Sequence, residues 1–102
     1  MLQDRVATSL PARFAAGSLR AKGRVRNLGE GGLFVGTASI PDQGDPVHVV
    51  FETPDGGRIR ARGLVWWTTL GNPGDSGGAQ GFGVRLLEAD KSYRRLVEEL
   101  RR

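Results

Sequence analysis

"VHVVFETPDGGRIRARGLVWWTT", residues Val47 to Thr69, holds two alternating runs on either side of a turn, and its period decides the fold class. Val47, Val49 and Phe51 fall on one side of a strand and His48, Val50 and Glu52 on the other, because successive side chains of an extended backbone point to opposite faces. Beyond the turn, Ile59, Ala61, Val65 and Trp67 alternate with Arg58, Arg60, Arg62, Leu64 and Trp66. Between them "TPDGG", Thr53 to Gly57, supplies proline for the first turn position and glycine for positive φ, which closes a hairpin.

The same period extends outward. Leu10, Ala12 and Phe14 alternate with Arg13 in a first strand, Pro11 keeps its start near an edge, and Gly17-Ser18 turns the chain. Leu19 to Leu28 reads as a second strand whose outer face carries Arg20, Lys22, Arg24 and Arg26; Leu33, Phe34 and Val35 form a third. After a Gly-rich loop, Phe82, Val84 and Leu86 share a face of a sixth. The pattern then changes once: Tyr93, Leu96, Val97 and Leu100 follow i, i+3, i+4, i+7, and Asp90 stands at the N-cap position of an amphipathic helix. That helix is expected to cover part of the Leu64 and Trp66 face. Six short strands cannot hide their edges in a flat sheet, so the expected fold is all-β, a small six-stranded antiparallel barrel with a C-terminal α-helix. Its 102 residues suit one domain, with a flexible N-terminal arm over 1–9, the barrel over 10–88 and the helix over 90–101.

Composition narrows the chemistry. The chain has no cysteine, which excludes a disulfide framework, a thiolate metal site and a cysteine nucleophile. The N-terminus lacks a secretory h-region and no stretch is apolar enough to span a bilayer, so a cytoplasmic protein without membrane insertion is expected. A formal net charge of +4 favours anionic partners without choosing among them.

Several candidate motifs fail on context. "GDSGG", Gly74 to Gly78, matches serine-hydrolase signatures, but the one histidine, His48, precedes it on a strand and no strand-to-helix elbow follows. His48 and Glu52 share a strand face yet lack a third nitrogen or sulfur ligand for a tight transition-metal site. No acid–base pair can be argued, and the chain is not expected to be an enzyme. Arg58, Arg60 and Arg62 beside Trp66 resemble a nucleic-acid surface but equally an ordinary exposed strand, and nucleic acid is not the expected partner. The segment "RNLGEGGLFV", Arg26 to Val35, reads two ways. It is a glycine-rich β-corner, or a place where Asn27 and exposed backbone N–H groups, approachable because glycines at 29, 31 and 32 permit positive φ, hold a phosphate or a nucleobase edge.

Arg5 to Phe14, with its Leu-Pro step, followed by "VRNLGEGGLFV" and ending in "GFGVRLLEADKSYRRLVEEL", resembles a PilZ domain over nearly the whole chain. That resemblance implies a six-stranded barrel with a C-terminal helix and, as ligand, the second messenger cyclic di-GMP, with no other cofactor. The family's motifs are R-x-x-x-R in the N-terminal arm and [D/N]-x-S-x-x-G at the corner. Asn27 matches the D/N position, Gly32 the final glycine and Arg5 the second arginine, whereas Met1 stands at the first arginine and Gly29 where the family has serine. Arg24 or Arg26 could compensate by standing near the same corner. Two functions follow as expectations: a cyclic di-GMP receptor that relays binding to a partner protein in motility, polysaccharide or chemosensory machinery, or a degenerate domain that keeps the interaction and drops the nucleotide.

Overall fold

The computed structural model describes residues 5–70 and 79–102. The "GDSGG" segment lies outside the described residues. Six strands, β1 (Val6–Ala16), β2 (Leu19–Leu28), β3 (Gly32–Gly36), β4 (Pro46–Glu52), β5 (Arg58–Thr68) and β6 (Gly81–Ala89), precede one helix, α1 (Ser92–Arg101). All neighbouring strands run antiparallel and close into a barrel in the order β1-β2-β3-β6-β5-β4. Two three-stranded meanders are therefore joined along β1–β4 and β3–β6. Closure pairs every strand on both sides, although the β1–β4 seam holds over only Ala12–Ala15 and His48–Phe51, and so limits edge-to-edge association.

Alternation fills the interior. Phe14, Val25, Leu33, Val35, Val49, Phe51, Ile59, Val65, Phe82 and Val84 point inward and are buried together with Tyr93, Leu96 and Val97 of α1. Phe14 meets Phe82 edge-on at 4.9 Å between ring centroids, and Phe51 meets Tyr93 at 6.2 Å. Each such side chain contributes about 1.5–3 kcal/mol through removal from water. The hairpins follow their turn residues. Gly17, at φ +60, opens the two-residue β1–β2 loop as a type II′ turn requires, and Gly56, at φ +92, ends the Thr53–Gly57 turn.

Four details depart from the sequence reading. The strand pairing of β1 begins at Val6, opposite Leu28, so residues 6–9, expected in a flexible arm, belong to the barrel. Asp90 is not the N-cap: Lys91 occupies that position in helical conformation without a capping bond, and the Asp90 carboxylate accepts from the backbone N–H of Arg60 at 2.8 Å. The Asp90 side chain thereby ties the start of α1 to β5, while the Asp90 carbonyl accepts from the Tyr93 N–H at 2.9 Å. Trp67 does not point inward with Val65, because the register slips between Val65 and Trp67 and the extra residue turns the Trp67 indole to the outside beside Trp66. Nor does α1 cover Trp66, which is 52% exposed, because the apolar face of the helix, Tyr93, Leu96 and Val97, packs into the barrel interior instead.

Candidate functional site

The loop between β2 and β3 reverses the chain over Gly29, Glu30 and Gly31. The Gly29 N–H donates to the Gly32 carbonyl at 2.9 Å, and the Leu86 N–H donates to the Gly31 carbonyl at 3.0 Å, so the turn closes on itself and onto β6. None of Gly29, Gly31 and Gly32 adopts a positive φ, so the left-handed freedom that glycine permits is not used at this corner. The glycine at 32 is required by approach instead: a Cβ there would stand 2.5 Å from the Val84 carbonyl oxygen. At Gly31 an added Cβ meets open space.

Arg5, half-buried just ahead of β1, reaches this corner from the neighbouring strand. Its Nη1 donates to Asn27 Oδ1 at 2.9 Å, while Nη2 lies against Gly32. Below them the buried Tyr93 hydroxyl, carried by α1, donates to the Gly29 carbonyl at 2.7 Å, with the Gly32 carbonyl at 3.3 Å. Burial is the main cause that lowers the Arg5 pKa, and it raises the Tyr93 pKa well above its ordinary value; the Arg5 charge partly opposes the latter. At neutral pH the pair is a guanidinium beside a neutral phenol. Asn27, Gly29, Gly32 and Arg5 are thus brought together, whereas Arg24 and Arg26 are not. Arg24 donates to Ser9 Oγ at 2.8 Å and to the Ser9 carbonyl at 3.2 Å, and Arg26 lies across Gly36.

Beside the corner opens a cleft of about 400 Å³ lined by Arg5, Gly31, Trp66, Trp67, Val84 and Arg85 with Gly83 at its floor. Trp67 stacks on Phe34 at 5.3 Å and 24°, passing directly over Gly83, where any Cβ would strike the indole at 2.2 Å. That contact buries Phe34 on the outside of the barrel. Trp66 stays exposed, with the Arg85 guanidinium 4.7 Å above its ring. An exposed indole offers a stacking plane for a purine, and two guanidiniums offer paired donors for phosphate or a guanine edge. Sequence reasoning missed Trp67, Arg85 and Tyr93 as parts of this site and put Trp67 on the inner face with Val65, whereas Trp66 lies outside as its parity requires. The signal was the Trp66-Trp67 doublet, since two adjacent indoles in a small barrel strand call for a bulge.

A family model described as "PilZ domain" matches residues 2–101. No curated protein sequence matches the chain. A solved structure titled "Structure of Bacillus subtilis Inhibitor of motility (MotI/DgrA)" superimposes with a TM-score of 0.76 at 14% identity. The match covers 98% of this chain and 49% of that one, so the chain spans about half the length of that protein.

Proposed function

The chain belongs to the PilZ domain family, and from that membership we propose that it is a non-catalytic receptor module that takes cyclic di-GMP at the Arg5–Asn27 corner and the adjoining Trp66 cleft. The observation that carries this reading is the 2.9 Å bond from Arg5 to Asn27, which places the remaining arginine of one motif on the first residue of the other. Arg5 would bind a phosphate or a guanine edge, Asn27 would orient Arg5 or read a guanine, Gly32 keeps β3 and β6 close enough for both, and Trp66 with Arg85 would stack a base. Because Arg5 immediately precedes the first strand, its engagement by ligand changes the entry of the chain into the barrel. That change is the signal a partner protein would sense, in a cytoplasmic setting.

Calorimetric titration with cyclic di-GMP tests the reading. Saturable heat is expected, and Arg5→Ala should weaken it roughly ten- to two-hundred-fold, the equivalent of one charge-assisted bond of about 1.5–3 kcal/mol. Gly29→Ser should tighten it a few-fold by returning a hydroxyl to the corner, since the backbone there is not left-handed. One observation favours the alternative of a degenerate domain that keeps only its protein partner: Gly29 brings no hydroxyl to the corner, and its carbonyl is already taken by Tyr93. No heat with the native chain and strong heat with Gly29→Ser would establish that alternative.

A further inference from the structure

Away from the nucleotide cleft, the outside of β2, β1 and β4 carries two adjoining clefts of about 540 and 410 Å³ that share Arg13, Lys22 and Val50. Arg20, Lys22 and Arg24 stand in a line along β2, Arg13 lies directly across from Lys22, and Arg58 closes the far end beyond Glu52. Glu52 is the only carboxylate among the residues lining either cleft, and all five cations are exposed. The floor between them is small or neutral: Pro11, Ala15, Gly23 and Val50.

The chemistry of this face selects its occupant. Alternate residues of a strand lie about 6.8 Å apart, so Arg20 to Arg24 spans about 14 Å, too far for one phosphate group and suited to a repeating anion. Four of the five cations are arginines, whose forked donors match phosphate oxygens. The large exposed hydrophobics among the described residues, Trp66, Leu70 and Leu87, are all absent from the linings, so the face lacks the apolar anchors of a protein interface. Of the rings that line it, Phe14 and Phe51 are buried and only His48 is exposed, too little to hold a row of unstacked bases, which leaves the sugar–phosphate backbone of a duplex. Arg24 is already held in place along the rim by Ser9.

We propose that this face is a second binding site, for the phosphate backbone of double-stranded nucleic acid, independent of base sequence. It does not depend on the cyclic di-GMP reading. The test is fluorescence anisotropy with a 20-base-pair DNA duplex at varied salt, using the full chain. Binding in the micromolar range is expected at about 50 mM salt, with a log–log salt slope near −4.5 for five neutralised phosphates, a loss of about 500-fold by 200 mM. Arg13→Glu with Lys22→Glu should abolish binding at 50 mM salt while leaving the melting temperature within a few degrees and the cyclic di-GMP titration unchanged. Arg85→Ala should leave duplex binding unchanged. Equal binding by the doubly substituted chain, a salt slope shallower than −2, or tighter binding to polyglutamate or to anionic phosphatidylglycerol vesicles than to the duplex would overturn the proposal.

Discussion

At the scale of single residues, the corner depends on what each position can physically accommodate rather than on glycine's freedom. Gly32→Ala drives a methyl group into the Val84 carbonyl, and backbone cannot yield as a side chain does, so a loss of about 1–3 kcal/mol is expected in a denaturant melt. Gly31→Ala, with open space around it, should change stability by less than about 0.5 kcal/mol. Tyr93 gives the pH dependence. Its folded-state pKa is raised, so its share of stability is complete below pH 10, the ordinary tyrosine value, and declines as pH rises above it. Tyr93→Phe should cost about 1–3 kcal/mol at neutral pH by stranding the Gly29 carbonyl, and its stability should fall less steeply above pH 10 than that of the native chain. Asn27 and Arg5 could be singled out from sequence because each matches a position of one of the family's two motifs. Tyr93 could not, since a buried aromatic at helical spacing looks the same whether or not its hydroxyl reaches a loop.

At the scale of elements, β5 shows where pattern reading succeeds and where it stops. From Arg58 to Val65 the alternation of polar and apolar residues reports the two faces correctly, because one face is buried and the period of a strand is two. At Trp66 the register slips, and an inserted residue has no letter of its own in the sequence. Its consequence is the division of labour between two adjacent indoles. Trp67→Ala should destabilise the barrel, as it uncovers Phe34 and Gly83, whereas Trp66→Ala should leave the melting temperature nearly unchanged. The same Trp66→Ala change should weaken cyclic di-GMP by about 1–3 kcal/mol if the exposed ring stacks a base. Helix α1 makes the complementary case. Its existence and inward face were legible from Tyr93, Leu96 and Val97, but its start was not, because Asp90 is used to hold β5 at Arg60 instead of capping the helix.

At the scale of the whole molecule, six strands and one helix share one interior, so the barrel and its functional surfaces stand or fall together. Leu96→Ala, deep beneath the barrel end, should cost about 2–5 kcal/mol in a single cooperative transition and take the corner with it through Tyr93. Closure also separates the surfaces: the cleft of Arg5, Trp66 and Arg85 opens on the β3–β6–β5 side, and the row of cations lies along β2 and β1. The described residues contain no helix long and apolar enough to cross a membrane. The most direct test of the central reading is amide and indole chemical-shift mapping during titration with cyclic di-GMP. Saturable shifts are expected at the Trp66 indole N–H and at the amides of Asn27, Gly31, Gly83 and Arg85, lost in Arg5→Ala. Shifts absent at millimolar ligand, or confined to the Arg13 and Lys22 face, would contradict it.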